Sequence, residues 1–167
     1  MSQHYLVALG SNQPHPRHGP PRKVLIAALA ALEGEGLSVR ASAPIRSSAP
    51  LGPSLRTYAN GAALIETALE PPELLALLQQ IEDRFGRNRR GQRWRARVLD
   101  LDIVLWSGGA WSDPHLTIPH PLFRQRQFVL KPAAAICPLW RDPLSGLTLR
   151  QLAARHHRAL TRPHPLP

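Results

Sequence analysis

The chain has one cysteine, Cys137, so it forms no internal disulfide and offers no cysteine-based zinc site. Cys137 reads as a small buried apolar residue. Lysine is nearly absent too, with only Lys23 and Lys131, although the formal net charge is +10 over 167 residues. The positive charge is therefore carried by arginine, whose planar fork favours bidentate contacts with phosphate or carboxylate over diffuse attraction. Long apolar runs are missing as well. The longest, Val24 to Leu32, is far too short to span a bilayer. No basic segment followed by a hydrophobic stretch marks a secretory leader at the N-terminus. These absences suggest a soluble, cytoplasmic protein with an anionic partner: nucleic acid, acidic lipid or a phosphorylated small molecule. The length suits one domain that buries about two-thirds of its unfolded surface.

The most informative stretch runs from Gly86 to Trp106, GRNRRGQRWRARVLDLDIVLW. It opens with Arg87, Arg89, Arg90, Arg93, Arg95 and Arg97, with Trp94 among them, and ends in a strand-like run from Val98 to Trp106. Strand side chains alternate, so Leu99, Leu101, Ile103 and Leu105 are expected on one face, with Asp100 and Asp102 on the other. The two aspartate Cα atoms would lie roughly 6.6 Å apart. Hard carboxylate oxygens beside a phosphate ligand are a usual setting for Mg²⁺, and the upstream arginines suit the phosphate. Taken singly, the alternation reads as a sheet with one wet face, and the arginines as a solvated loop or nucleic-acid patch. Together they point to a metal–polyphosphate site, because a magnesium nucleotide needs both signs of charge at once.

The flanking chain supplies the frame. Tyr5 to Leu9 reads as a strand stopped by Gly10-Ser11-Asn12. A proline-rich loop follows, with His15 and His18 read as solvated surface. Lys23 to Leu32 is expected as a largely buried helix, started by Pro20-Pro21 and closed by Gly34 and Gly36. Leu37 to Ser48 reads as one long irregular strand, and Gly61 to Thr67 as another. Leu74, Leu75, Leu78, Ile81 and Phe85 recur at helical spacing after Pro71-Pro72, with Gly86 as the C-terminal cap. Gln79 and Glu82 share a second face and read as surface residues. After the Asp-x-Asp strand, Trp111 to Ile118 suits the returning arm of a hairpin, and Pro119-His120-Pro121 a rigid corner. Phe128 to Ala135 and Thr148 to His157 read as helices. The domain is expected to cover residues 1–158, with a basic, disordered tail over 159–167. The order strand, helix, strand, strand, helix, strand is the ferredoxin-like βαββαβ arrangement. The fold class is therefore α+β: an antiparallel sheet with helices packed on it, plus a C-terminal hairpin and helices.

Several segments, taken in order, resemble a known family. They are Leu9-Gly10-Ser11-Asn12, Pro50-Leu51-Gly52, Tyr58-Ala59-Asn60, Phe85-Gly86-Arg87 through Arg93-Trp94 and Arg97 to Leu99-Asp100-Leu101-Asp102-Ile103, and Ile118-Pro119-His120-Pro121 followed by Arg126-Gln127-Phe128-Val129-Leu130. With this set the chain is similar to the 6-hydroxymethyl-7,8-dihydropterin pyrophosphokinases of folate biosynthesis.

The resemblance implies a ferredoxin-like fold and transfer of diphosphate from the co-substrate ATP to the pterin hydroxymethyl oxygen, releasing AMP. It implies two Mg²⁺ ions on Asp100 and Asp102, and catalytic roles for Arg87 and Arg97. Gln79, Arg89, Arg93, Trp94, Arg97, Ile103, Thr117, His120 and Arg126 match ATP-side positions. Ser48, Ala49, Leu51, Tyr58, Asn60, Trp94 and Phe128 match pterin-side positions, with Tyr58 and Phe128 suited to sandwich a flat bicycle. The loop from Arg89 to Arg95 would close over the substrates. His115 stands where some members carry arginine, and Arg90 where some carry lysine. A monomer acting on small molecules is expected. Two rival readings stand beside it: a ferredoxin-like nucleic-acid-binding module using the arginine loop, and a family member that binds without turnover.

Overall fold

A computed structural model describes residues 1–48, 57–86 and 97–161. Ala49, Leu51, Arg87, Arg89, Arg93 and Trp94 lie outside the described residues, as does the tail from 162.

Strand β1 (Gln3–Ser11) lies at the centre of the main sheet, flanked by β4 (Tyr58–Thr67) and β5 (Asp100–Trp106), both antiparallel to it. Strand β2 (Ser38–Ser42) lies beyond β4, so the order is β2-β4-β1-β5. The long strand expected over Leu37 to Ser48 is broken into β2 and β3 (Arg46–Ser48), which pair with successive parts of β4. The break contains Pro44, which has no N–H to give to a ladder. With helix α1 (Pro21–Gly34) after β1 and helix α2 (Pro71–Arg84) after β4, the chain has the ferredoxin-like order its sequence indicates.

Both faces of the sheet are covered. Helices α1 and α2 close one core with Tyr5, Val7 and Leu9; Leu6 and Ala8 enter a second core with helices α3 (Gln127–Ile136) and α4 (Leu149–Thr161). A central strand buried on both sides explains the unbroken apolar run Tyr5 to Leu9. Helix α1 buries one face through Val24, Leu25, Ala28 and Leu32, while Ile26 is exposed, so it is less enclosed than its composition suggests. Helix α2 begins with a capping box between Glu70 and Glu73, and Gly86 follows its end with φ +94°, which glycine adopts without a Cβ penalty.

The outer strand departs from simple alternation. Leu6 pairs with Leu105 but Val7 with Ile103, so Val104 is an extra residue in β5. Leu101 and Ile103 enter the α1/α2 core as expected, but the bulge turns Leu105 into the opposite core. Residues 111–118 do not return as one arm. They fold into a small hairpin, β6 (Trp111–Ser112) with β7 (Thr117–Ile118). Asp113 closes its turn by accepting the His115 and Leu116 amides at 2.7 and 2.8 Å. The Ile118–Pro119 peptide is cis, and the His120 amide then donates to the Val104 carbonyl at 3.0 Å. Helix α4 runs on to Thr161, three residues past Arg158, where the tail was expected to begin. Among the described residues, no helix is long and apolar enough to cross a membrane.

Candidate active site

Cross-strand pairing builds the site on the sheet face that α3 and α4 cover. Gly10 of β1 pairs with Asp100 on one side and Asn60 on the other, and Asn60 pairs with Arg46. One row across four strands therefore reads Asp100, Gly10, Asn60, Arg46, all facing the same way. The adjacent row reads Asp102, Ala8, Ala62. Asp100 and Asn60 are two strand spacings apart, about 10 Å, with only a glycine between them. Next to Asn60 on that face, Tyr58 pairs with Ser48. The result is a trough with carboxylates at one wall and an amide and a phenol ring at the other.

Exposure separates this polar end from the core beneath α3. Leu6, Ala8, Ala62, Val104 and Leu105 are buried with Val129, Leu130 and Ala133 of α3. Asp100, Asp102 and Asn60 are half-buried, while Tyr58 and Phe128 keep 38% and 52% of their surfaces open. Tyr58 at the start of β4 and Phe128 at the start of α3 each leave a large ring open to a flat apolar ligand. The Arg126 guanidinium lies 5.7 Å from the Phe128 ring centre.

Four hydrogen bonds hold the carboxylate wall. Arg97 Nη1 donates to Asp100 Oδ2 at 3.1 Å. Asn12 grips the Arg97 backbone at both ends: its amide donates to the Arg97 carbonyl at 3.0 Å, and its Oδ1 accepts the Arg97 amide at 2.6 Å. Glu82 of α2, 2% exposed, accepts the Leu101 amide at 3.0 Å between the two aspartates. It is not the surface residue its helical position suggested. His120 lies near enough to sense both neighbours. Burial lowers its pKa from the ordinary value, the Arg126 charge lowers it further, and Asp100 opposes them.

The other expected residues divide clearly. Arg97, Asp100, Asp102, Asn60 and Tyr58 come together with Ser48, while Arg126 and Phe128 stand at the start of α3. Gln79 is half-buried on α2, one turn before Glu82, and Thr117 is exposed on β7. Ile103 has its side chain in the opposite core, so any contact it makes with a ligand comes from its backbone. His15 and His18, read as solvated surface, are half-buried and packed by their rings. Their rings are 4.6 Å apart, and His18 stacks on Phe85 at 5.1 Å. Asn12, Glu82 and Arg46 were not assigned by sequence reasoning. Asn12 was visible in Gly10-Ser11-Asn12, but neither Glu82 nor Arg46 carries a local signal.

Two carboxylates on one face suit Mg²⁺, which takes few protein oxygens and completes its shell with phosphate and water. Among the described residues, no group of three or more His, Cys, Asp or Glu could hold a metal by itself. The donor set therefore fits a cation shared with a phosphorylated ligand better than a closed structural site.

The chain is similar to known proteins over most of its length. The model of one family, 7,8-dihydro-6-hydroxymethylpterin-pyrophosphokinase, matches residues 6–138. The chain is 40% identical over 156 residues to the 2-amino-4-hydroxy-6-hydroxymethyldihydropteridine pyrophosphokinase of Pseudomonas aeruginosa, covering 92% of each. It is 42% identical over 117 residues to the protein of that name from Synechocystis, covering 70% of this chain and 60% of that one. Among solved structures, a Plasmodium falciparum HPPK-DHPS triple mutant with STZ-DHP superposes with a TM-score of 0.74 at 11% identity. That match covers 99% of this chain and 45% of the other, and shows likeness of fold.

Proposed function

The chain belongs to the 7,8-dihydro-6-hydroxymethylpterin-pyrophosphokinase family, and from that premise we propose that it transfers diphosphate from ATP to 6-hydroxymethyl-7,8-dihydropterin, giving AMP and the pterin diphosphate. The observation that most supports this reading is the register row Asp100, Gly10, Asn60, with Tyr58 beside it. The row puts the carboxylates and the amide about two strand spacings apart on one face, a separation that suits a cation at one wall and a pterin at the other. Family membership sets aside the nucleic-acid-binding reading of the arginine loop.

Each residue has a role that its chemistry supports. Asn60 offers both a donor and an acceptor to the amide-like edge of the pterin. Tyr58 and Phe128 hold the bicycle by stacking, with Ser48 as a further contact and, by the family resemblance alone, Ala49 and Leu51. Asp100 and Asp102 would hold two Mg²⁺ ions. Metal bound there would supply neutralisation of the phosphate charge. Arg97, tethered to Asp100 and locked by Asn12, faces the charge that develops as the pterin oxygen bonds to the β-phosphorus and the bond to the departing AMP breaks. Arg87, Arg89 and Arg93 are further candidates for binding the phosphates, and Trp94 for covering both the nucleotide and the pterin. His120 and Arg126 flank the nucleotide, with Gln79, Thr117 and the Ile103 backbone at its base. The described residues suggest no general base, so positioning and electrostatics carry the rate. The protein works as a monomer on small soluble substrates in the cytoplasm.

The test is incubation with ATP, Mg²⁺ and the dihydropterin, with AMP and ADP separated by chromatography. Pterin-dependent AMP is the expected product. ADP would mean that the triphosphate lies in a different register. No nucleotide product, with substrate and metal verified, would leave a binder without turnover.

A further inference from the structure

The family match ends at residue 138, yet two side chains beyond it reach back to the turn that carries Arg126 and Phe128. That turn is a short 3-10 helix, Phe123–Gln125, directly before α3. Asp142, fully buried, takes the Arg124 fork on both oxygens: Nε donates to Oδ2 at 2.6 Å and Nη2 to Oδ1 at 2.7 Å. The Ser145 hydroxyl adds a bond to Oδ2 at 2.6 Å, and the Leu144 amide one to Oδ1 at 3.1 Å. Burial alone would push this carboxyl up, but the bonds from Arg124, Ser145 and Leu144, with the Arg124 charge, bring it down to about 2. On α4, His156 Nε2 lies 2.9 Å from the Gln125 carbonyl. Its Nδ1 is buried and has no hydrogen-bond partner among the described residues. The carbonyl can only accept, so the ring proton sits on Nε2.

Consecutive residues of the turn are thus gripped from outside. Phe123 is buried in the core with Leu149 and Leu152, Arg124 is held by Asp142, and the Gln125 carbonyl by His156. The Arg126 amide then bonds to the Phe123 carbonyl, and the Arg126 carbonyl accepts the first two amides of α3's ladder, from Val129 and Leu130. The turn leaves little freedom between its anchors and the start of α3. We propose that Asp142 and His156 are positioning residues, setting the Phe123–Gln125 turn and through it the placement of Arg126 and Phe128 at the substrate trough. This rests on the reading above that Phe128 stacks on the pterin. Neither residue touches substrate. They act because a bound ring tolerates only about half an ångström of error in its partner's position.

The full chain carries the test, as Asp142→Asn, His156→Ala, His156→Gln and Phe128→Ala, alone and combined with Phe128→Ala, assayed well below each melting temperature. D142N and H156A are expected to raise the pterin KM about tenfold with kcat changed much less, the signature of misplaced binding groups. H156Q, whose amide N–H can reach the Gln125 carbonyl, should restore the KM. In the F128A background, D142N and H156A should add little, since the ring they place is gone. Lower melting temperatures with unchanged pterin KM, or effects that simply add to F128A, would overturn the proposal and leave the two residues structural. If D142N does not fold, the H156A and H156Q comparison and the H156A/F128A cycle decide in its place. F128A with an unchanged pterin KM would overturn the reading of Phe128 itself, and with it the proposal, whatever D142N does.

Discussion

Asp100 and Asp102 share a strand face but not the same surroundings. Asp100 is paired with Arg97 and faces Gly10, while Asp102 lies opposite Ala8, one row closer to the core. Asp102→Asn keeps the shape of the side chain and removes its charge. AMP formation should fall by about 10²–10³-fold, the scale of losing one preorganised electrostatic contact, with the circular-dichroism spectrum unchanged. Full activity in that variant would remove Asp102 from the metal site. Glu82 is a structural counterpart, since its buried oxygen satisfies the Leu101 amide. Glu82→Ala leaves that amide without its carboxylate acceptor and should cost about 2 kcal/mol in denaturant unfolding, whereas Glu82→Gln keeps an acceptor and loses less. Equal stability of the two variants would show that this hydrogen bond contributes nothing. At this scale the sequence revealed residue types and motif positions, but not that Glu82 is buried, because a carboxylate beside an apolar stripe carries no periodic signal.

At the scale of elements, the site depends on a small residue between two walls. A Cβ built on Gly10 would sit 3.6 Å from Asn60 Oδ1, an ordinary contact. Gly10→Ala should therefore fold, with stability within about 1 kcal/mol of the parent, since a strand favours alanine over glycine. Gly10→Val fits the strand as well but fills the space between Asp100 and Asn60. It should lower kcat/KM about 100-fold at a preserved melting temperature, because the ligand would be displaced by roughly a methyl group's width. Unchanged kinetics in the valine variant would place the ligand elsewhere. Elements were legible where the signal was local: helix α2 with its proline start and glycine stop, and the alternating aspartates. Pro44 was a local sign of the break between β2 and β3, but the bulge at Val104 was not legible, because it corrects pairing with a neighbouring strand.

At the scale of the molecule, the sheet is stabilised from both sides, and the α3/α4 side contains the Arg124–Asp142 pair. The Asp142 carboxyl is held at about 2 in the folded chain, against 3.8 ordinarily. A depressed carboxylate contributes stability that is present above the unfolded value and is lost as pH falls through the folded one. Thermal melts should therefore lose this contribution between about pH 4 and about pH 2, on top of the self-repulsion of a chain with net charge +10 at pH 7. Asp142→Asn should reduce stability at neutral pH by about 3 kcal/mol, the scale of breaking a buried pair, and flatten that part of the acid limb. An acid limb identical to the parent's would mean that Asp142 is not the group responsible.

The amino-acid sequence by itself determined the order of elements, the shared face of Asp100 and Asp102, the arginine-borne charge and the motifs that mark the family. All of these depend on spacing along one chain, where a strand repeats every two residues and a helix every 3.6. Only the tertiary structure decided that Gly10 stands between Asp100 and Asn60, that Leu105 crosses to the second core, and that Asp142 and His156 grip the turn before Phe128. Those relations join residues far apart in the chain. Chain spacing sets the direction of a side chain but not its neighbour, and the neighbour is chosen by strand register and by packing across two cores.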